Sequence, residues 1–104
     1  MIARLDDAAR DDIHEATAWY AARDAKAAIR FVAAVDAAIT EITEFPGGPP
    51  RLEAWTGDED IRRVILHRFP FVVVYEVLAE EIVIWCMTHT SRRPNHWQNR
   101  RRAD

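Results

Sequence analysis

Phe69-Pro70-Phe71-Val72-Val73-Val74-Tyr75-Glu76-Val77, followed by Ile82-Val83-Ile84-Trp85-Cys86-Met87-Thr88-His89, is the stretch on which the fold turns. Both runs are dense in β-branched and aromatic side chains and both have the length of a strand. The link Leu78-Ala79-Glu80-Glu81 is short enough to force an antiparallel hairpin. It lacks the Asn-Gly pair of a tight primed turn, so the turn type stays open. Alternation divides the first strand into Phe71, Val73, Tyr75 and Val77 on one side, and Val72, Val74, Glu76 and Leu78 on the other. Both sets are largely apolar. A pair that is apolar on both faces predicts a sheet centre covered twice, by helices on one side and by a partner on the other.

Before this hairpin, Ile61-Arg62-Arg63-Val64-Ile65-Leu66-His67-Arg68 reads as a strand, and Arg68-Phe69-Pro70 as the link that follows it. Residues 51–60 are acidic and loop-like. Trp55 is stranded there, as a plug at the edge of the core or as an exposed contact, with the plug preferred. Further back, Pro46-Gly47-Gly48-Pro49-Pro50 ends a helix, because proline cannot continue the hydrogen-bond ladder and glycine accepts the left-handed stop. That helix shows the clearest period in the chain: Ala28, Phe31, Val32, Val35, Ala38, Ile39, Ile42 and Phe45. Asp24 is its cap. The helix before it carries a stripe of Ala9, Ile13, Ala16, Trp19 and Tyr20, and Asp6-Asp7 caps it. A link of about two residues makes the two helices an antiparallel hairpin. Ile2-Ala3-Arg4-Leu5 is a weak strand, at the sheet edge or beside the hairpin. Beyond His89, Thr90-Ser91-Arg92-Arg93-Pro94 is a basic turn, and Pro94 suits the first turn of a short C-terminal helix carrying Trp97. The expected fold is α+β in the order β-α-α-β-β-β: an antiparallel sheet, a two-helix hairpin on one face and that short helix.

At 104 residues the chain suits one domain, 1–104, and its 49% hydrophobic content suffices for a core. No apolar run reaches the roughly 18 residues of a membrane helix, and the N-terminus does not read as a signal peptide. A single cysteine, Cys86, excludes an internal disulfide and makes a cytoplasmic address the default. Cys86 lies in a strand-like apolar run and reads as a core residue. Net charge is −3, which argues against a general nucleic-acid binder. The charge is unevenly placed. Residues 1–60 hold 13 acidic against 6 basic side chains, and residues 61–104 hold 8 arginines against 4 acidic ones. A positive end of this kind can meet phosphate, an acidic protein segment, or only water.

The four histidines, His14, His67, His89 and His96, show no HExxH-type spacing. There is no CxxC and no glycine-rich phosphate loop, so neither a metal nor a cofactor is expected. What remains is basic: Arg62, Arg63, His67, Arg68, His89, Arg92, Arg93, His96, Trp97 and Arg100. Arginine can hold a phosphate, histidine can trade protons during attack of a ribose hydroxyl, and Trp97 can stack on a base. If these groups converge they make a metal-free ribonuclease. The plainer account sends Arg62 and Arg63 to opposite faces of one strand, puts one of them in a structural salt bridge, and packs Trp97 and Pro94 onto the sheet.

Taken in order, Ala9-x-x-Asp12-Ile13, Trp19-Tyr20, Phe31-x-x-x-Val35-x-x-x-Ile39-x-x-Ile42, the Pro46 stop, Phe69-Pro70-Phe71 leading to Tyr75, a strand ending in His89, and Arg92-x-Pro94-x-x-Trp97-x-x-Arg100 resemble the RelE/ParE toxin superfamily. Its members are often labelled plasmid stabilisation proteins. The resemblance covers nearly the whole chain. It implies a small toxin of a type II toxin–antitoxin module, with a helical hairpin on one face of a sheet. It also implies a cognate antitoxin that wraps the toxin in a heterotetramer or larger complex. RelE-like members cut mRNA on the ribosome without metal, whereas ParE-like members poison DNA gyrase. Ribonuclease members commonly carry an arginine three residues before the strand tyrosine, where this chain has Val72. They often place a tyrosine or histidine near the C-terminus, where this chain has Trp97, and an indole is no acid or base. These departures favour the ParE-like branch. The alternatives are a RelE-like mRNA endonuclease, with His89, Arg92 and Arg63 catalytic, and a non-toxic relative that only binds an antitoxin. Contacts to target or partner are expected at Arg62, Arg68, Arg93, Trp97 and Arg100.

Overall fold

Aspartates set where the two helices begin in the computed structural model, which describes residues 1–91 and 97–98. Asp6 accepts a hydrogen bond from the Ala8 amide (3.2 Å) and starts α1 (Asp7–Ala21), while Asp24 accepts from the Lys26 amide (3.0 Å) and starts α2 (Ala25–Glu44). Each satisfies a donor that the first helical turn leaves free. α2 ends at Phe45, before Pro46. The remaining elements are β1 (Ile2–Leu5), β2 (Ile61–Ile65), β3 (Phe71–Val77) and β4 (Glu81–His89), so the chain is α+β in the expected order.

The helices lie on one face of a four-stranded sheet of order β1-β4-β3-β2. Ala9 and Ala16 from α1, with Phe31, Val35, Ala38 and Ile42 from α2, meet the first alternation set of β3 in the main core. Alanine on α1 lets the helix approach closely. Tyr20, Phe31, Phe69 and Phe71 form an aromatic cluster at one end, with Phe69 edge-on to both Tyr20 and Phe31 at 5.3 Å. Trp19 departs from the expected stripe. It lies one residue from Tyr20, about 100° around the helix, and it is exposed, with the Arg23 guanidinium 3.8 Å over its ring.

β2, β3 and β4 form the expected antiparallel meander. The expectation of a wholly antiparallel sheet needs correction: β1 pairs with β4 in parallel, Ile2 opposite Glu81 and Leu5 opposite Ile84, so the sheet is mixed. The reason is topological. The Met1 ammonium meets the Thr43 carbonyl (3.5 Å), so α2 returns the chain to the end where β1 begins. β2 therefore starts in the same direction as β1. The meander reverses it twice, and β4 runs that way again.

One residue too many in β4 makes a β-bulge. Val74 pairs with Cys86 but Tyr75 with Ile84, and Trp85 is the extra residue. Trp85 and Cys86 thus share the face away from the helices, and Met87 returns to the helix side. β2 is shorter than the expected strand because residues 67–70 form the hairpin loop, closed by the Leu66 amide on the Phe71 carbonyl (2.9 Å), with Arg68 at φ 67°. Among the described residues no helix is long and apolar enough to cross a membrane. The short C-terminal helix is not seen. That expectation falls on residues 92–96 and 99–104, which lie outside the described residues, as well as on Trp97 and Gln98.

Candidate functional site

The face of the sheet away from the helices is half covered. Ile61, Val74, Val83, Trp85 and Cys86 carry a second apolar cluster, and Leu52 and Trp97 pack onto it. Trp55 stacks on Trp97 with ring centroids 5.5 Å apart and planes 27° from parallel, and its indole N–H reaches the Glu59 carboxylate (3.2 Å). The turn needs glycine at position 57, because a Cβ there would strike that carboxylate and lie 2.9 Å from the indole nitrogen. Beneath them Glu76 is buried and accepts from the Trp85 indole (3.0 Å). Trp55 is therefore a plug, and the apolar second face is partly closed by the chain itself.

The uncovered half is a groove of about 340 Å³ floored by Ile65, Val72 and Val74, with Arg63 on β2 and Thr88 on β4 at its sides. Val72 pairs with both Ile65 and Thr88, and Val74 pairs with Arg63, so these side chains share one surface. Arg63 makes no hydrogen bond or ion pair among the described residues. Thr88 is buried, and its hydroxyl has no hydrogen-bond partner there.

His89 ends β4 at the mouth of this groove. Its Nδ1 receives the Ser91 amide (3.1 Å) and lies 2.8 Å from the Ser91 hydroxyl. A backbone N–H can only donate, so Nδ1 accepts, and the neutral ring carries its proton on Nε2. The ring meets Phe71 edge-on at 5.5 Å. Of the three residues named for catalysis, Arg63 and His89 border one groove, while Arg92 lies outside the described residues.

The residues named for contact divide further. Arg62 is a clamp. Its Nε donates to Asp60 (2.8 Å), and its Nη1 donates to the carbonyls of Gly47 (3.0 Å) and Pro49 (2.7 Å), which fastens the segment after α2 to β2. Tyr75, fully buried, reinforces the same segment by donating its hydroxyl to the Pro46 carbonyl (2.7 Å). Burial raises the Tyr75 pKa to about 12. The Arg62 guanidinium opposes the rise, and Asp60 and Glu41 add to it. Arg68 is exposed at the hairpin tip, its Nε 3.2 Å from His67 Nε2. Trp97 is fully buried rather than presented for stacking. Arg93 and Arg100 lie outside the described residues.

Two features escaped the sequence. Thr88 reaches the second face only because of the bulge, which simple alternation does not foresee. A larger cavity of about 680 Å³ lies between α1 and the ends of β3 and β4, with Asp12, Glu15, Trp19 and Tyr20 on the helix side and Phe71 and His89 on the sheet side. Trp19, one position off the core stripe, was its only signal. Among the described residues no three His, Cys, Asp or Glu side chains are grouped to hold a metal ion.

A family model for the ParE toxin of the type II toxin–antitoxin system parDE matches residues 3–94. The fold is similar to a solved structure described as the chromosomal ParDE system from P. aeruginosa. The TM-score is 0.73 with 20% sequence identity, over 86% of this chain and 95% of that one. At this identity the likeness is one of fold alone. No curated protein matches the chain.

Proposed function

This chain belongs to the ParE toxin family of type II toxin–antitoxin systems, and from that premise we propose that it is the toxin of such a pair, arresting growth by poisoning DNA gyrase until a cognate antitoxin binds it. The observation that carries the proposal is the family match across residues 3–94. The second face supports it. Where ribonucleases of the superfamily commonly carry an arginine, Val72 lies in an aliphatic floor. Where an acid or base would stand, Trp97 is buried under the loop. His89 has one ring nitrogen occupied by Ser91. A half-open apolar face also suits an antitoxin that closes it.

The test uses purified protein and DNA gyrase, with growth and RNA followed in cells that induce the chain. Supercoiling is expected to fall, growth to stop and transcripts to stay intact. Unimpaired supercoiling at toxin in large excess over gyrase would refute the gyrase target. Arg63 and His89 on one groove favour mRNA cleavage as a second reading, which predicts new 5′ ends on translated messages that disappear in Arg63→Ala.

A further inference from the structure

The fold leaves two polar groups in the second-face groove without partners among the described residues. Thr88 is 6% exposed with its hydroxyl unsatisfied, and Arg63 holds an unpaired guanidinium beside an aliphatic floor. A buried hydroxyl with no partner destabilises the free protein, and a ligand that supplies the missing atom recovers that loss. We propose that the groove binds an extended acidic segment of a protein partner. A side-chain carboxylate meets Arg63, an aliphatic side chain two positions away lies on Ile65 and Val72, and an oxygen of the segment accepts from the Thr88 hydroxyl. The inference rests on the toxin reading, and the partner is the antitoxin that reading requires.

Three observations select this occupant. The guanidinium fork matches a carboxylate through two parallel hydrogen bonds. The floor offers no aromatic platform for bases, since Trp55 and Trp97 stack on each other and Trp97 is fully buried. Glu53 on the groove wall repels a strand charged at every nucleotide, whereas a single carboxylate can sit at Arg63.

The edge of β2 explains why the segment is extended. The Leu66 amide bonds Phe71, so Ile61, Arg63 and Ile65 turn their main-chain groups away from β3. Leu52 takes the Ile61 carbonyl and Pro50 takes the Arg63 amide, each through the main chain. The next outward position is Ile65, where a strand can add beside Arg63.

The test is a nuclear magnetic resonance titration of the full chain with a blocked hexapeptide. The peptide carries one glutamate and one valine two positions apart and serine elsewhere, because such positions share a face in an extended chain. Shifts are expected at the Arg63 side-chain Nε–H and the Thr88 amide. Replacing the peptide glutamate by glutamine, or Arg63→Gln in the protein, should weaken binding about tenfold or more, as for loss of a charged hydrogen bond. Thr88→Val should weaken binding several-fold while leaving the thermal midpoint unchanged or higher. Equal binding of the glutamine peptide, or no shift at Arg63 with millimolar peptide, overturns the proposal. So does Arg63-dependent binding of oligouridylate in place of the peptide. A chain that arrests growth but ignores the peptide loses this inference and keeps its toxin assignment. A chain harmless to growth that binds the peptide through Arg63 loses only the assignment.

Discussion

Tyr75 and Arg62 show how single side chains hold the segment that follows α2. Both bond to carbonyls between Pro46 and Pro49, a stretch whose prolines have no N–H of their own to give. Tyr75→Phe removes the donor and leaves the Pro46 carbonyl unsatisfied, so it should cost about 1–2 kcal/mol near neutral pH. The pH dependence gives a sharper check. A folded pKa of about 12 against the ordinary 10.0 means that the folded state holds the phenolic proton more tightly. That contribution is present in full below pH 10 and is lost as pH rises through 12. The loss amounts to roughly 2–3 kcal/mol for a shift of this size. Phenylalanine has no proton to lose. Denaturant unfolding should therefore find the variant weaker at neutral pH, and the gap should close or reverse in strong alkali. A gap that does not change with pH would contradict the assigned role. For Arg62, even Arg62→Lys should cost about 1.5–3 kcal/mol, since an ammonium cannot reproduce the fork that spans Asp60 and two carbonyls. Thermal unfolding of the variant is the measurement. This residue was named for partner contact from its charge alone. Nothing in the order of residues tells that Gly47 and Pro49 fold back onto β2.

Elements meet through edge groups as well as through apolar faces. β1 stops opposite Ile84, and α1 serves β4 beyond that point. The Asp6 amide donates to the Ile84 carbonyl (3.0 Å), and the Asp12 carboxylate accepts from the Met87 amide (3.1 Å). Asp12→Ala should leave a buried amide unsatisfied, at about 1–3 kcal/mol, while Asp12→Asn keeps an acceptor and should cost less. Hydrogen exchange at Met87 should quicken in the alanine variant ahead of the amides of α2. Uniform quickening would place the effect elsewhere. The helices, their caps and the meander were legible because each leaves a periodic or capping signature in the residues themselves. The direction of β1 was not, since four alternating residues carry no sense of which neighbour they will join. The bulge at Trp85 was also hidden, because the run from Ile82 to Met87 is apolar throughout and alternation has nothing to count. That one residue decides which side chains of β4 reach the groove.

Over the whole molecule, the sequence divides into an acidic helical half and a strand half rich in arginine. The structure adds that the second face of the sheet is closed at one end and open at the other. The need for a cover was readable in the two apolar sets of β3. That the chain supplies half of it, through Leu52, Trp55 and Trp97, was not, because these lie in segments with no periodic signal. Trp97 should then be a structural keystone, and its removal is expected to cost about 3–5 kcal/mol, as for other fully buried large side chains. Cys86 gives the means to see where the loss occurs. It is the only cysteine, it is fully buried, and it belongs to the cluster that Trp97 covers. A thiol reagent reaches it only when that face opens. Ile42→Ala is the matched control, since Ile42 is equally buried but sits in the core on the opposite face, at about 2–5 kcal/mol. If labelling requires global unfolding, both variants should speed it in proportion to their lost stability. If the second face opens by itself, Trp97→Ala should speed labelling well beyond Ile42→Ala at equal thermal midpoint. The local result is expected, because the loop and Trp97 touch the sheet from outside while the helices hold its other face.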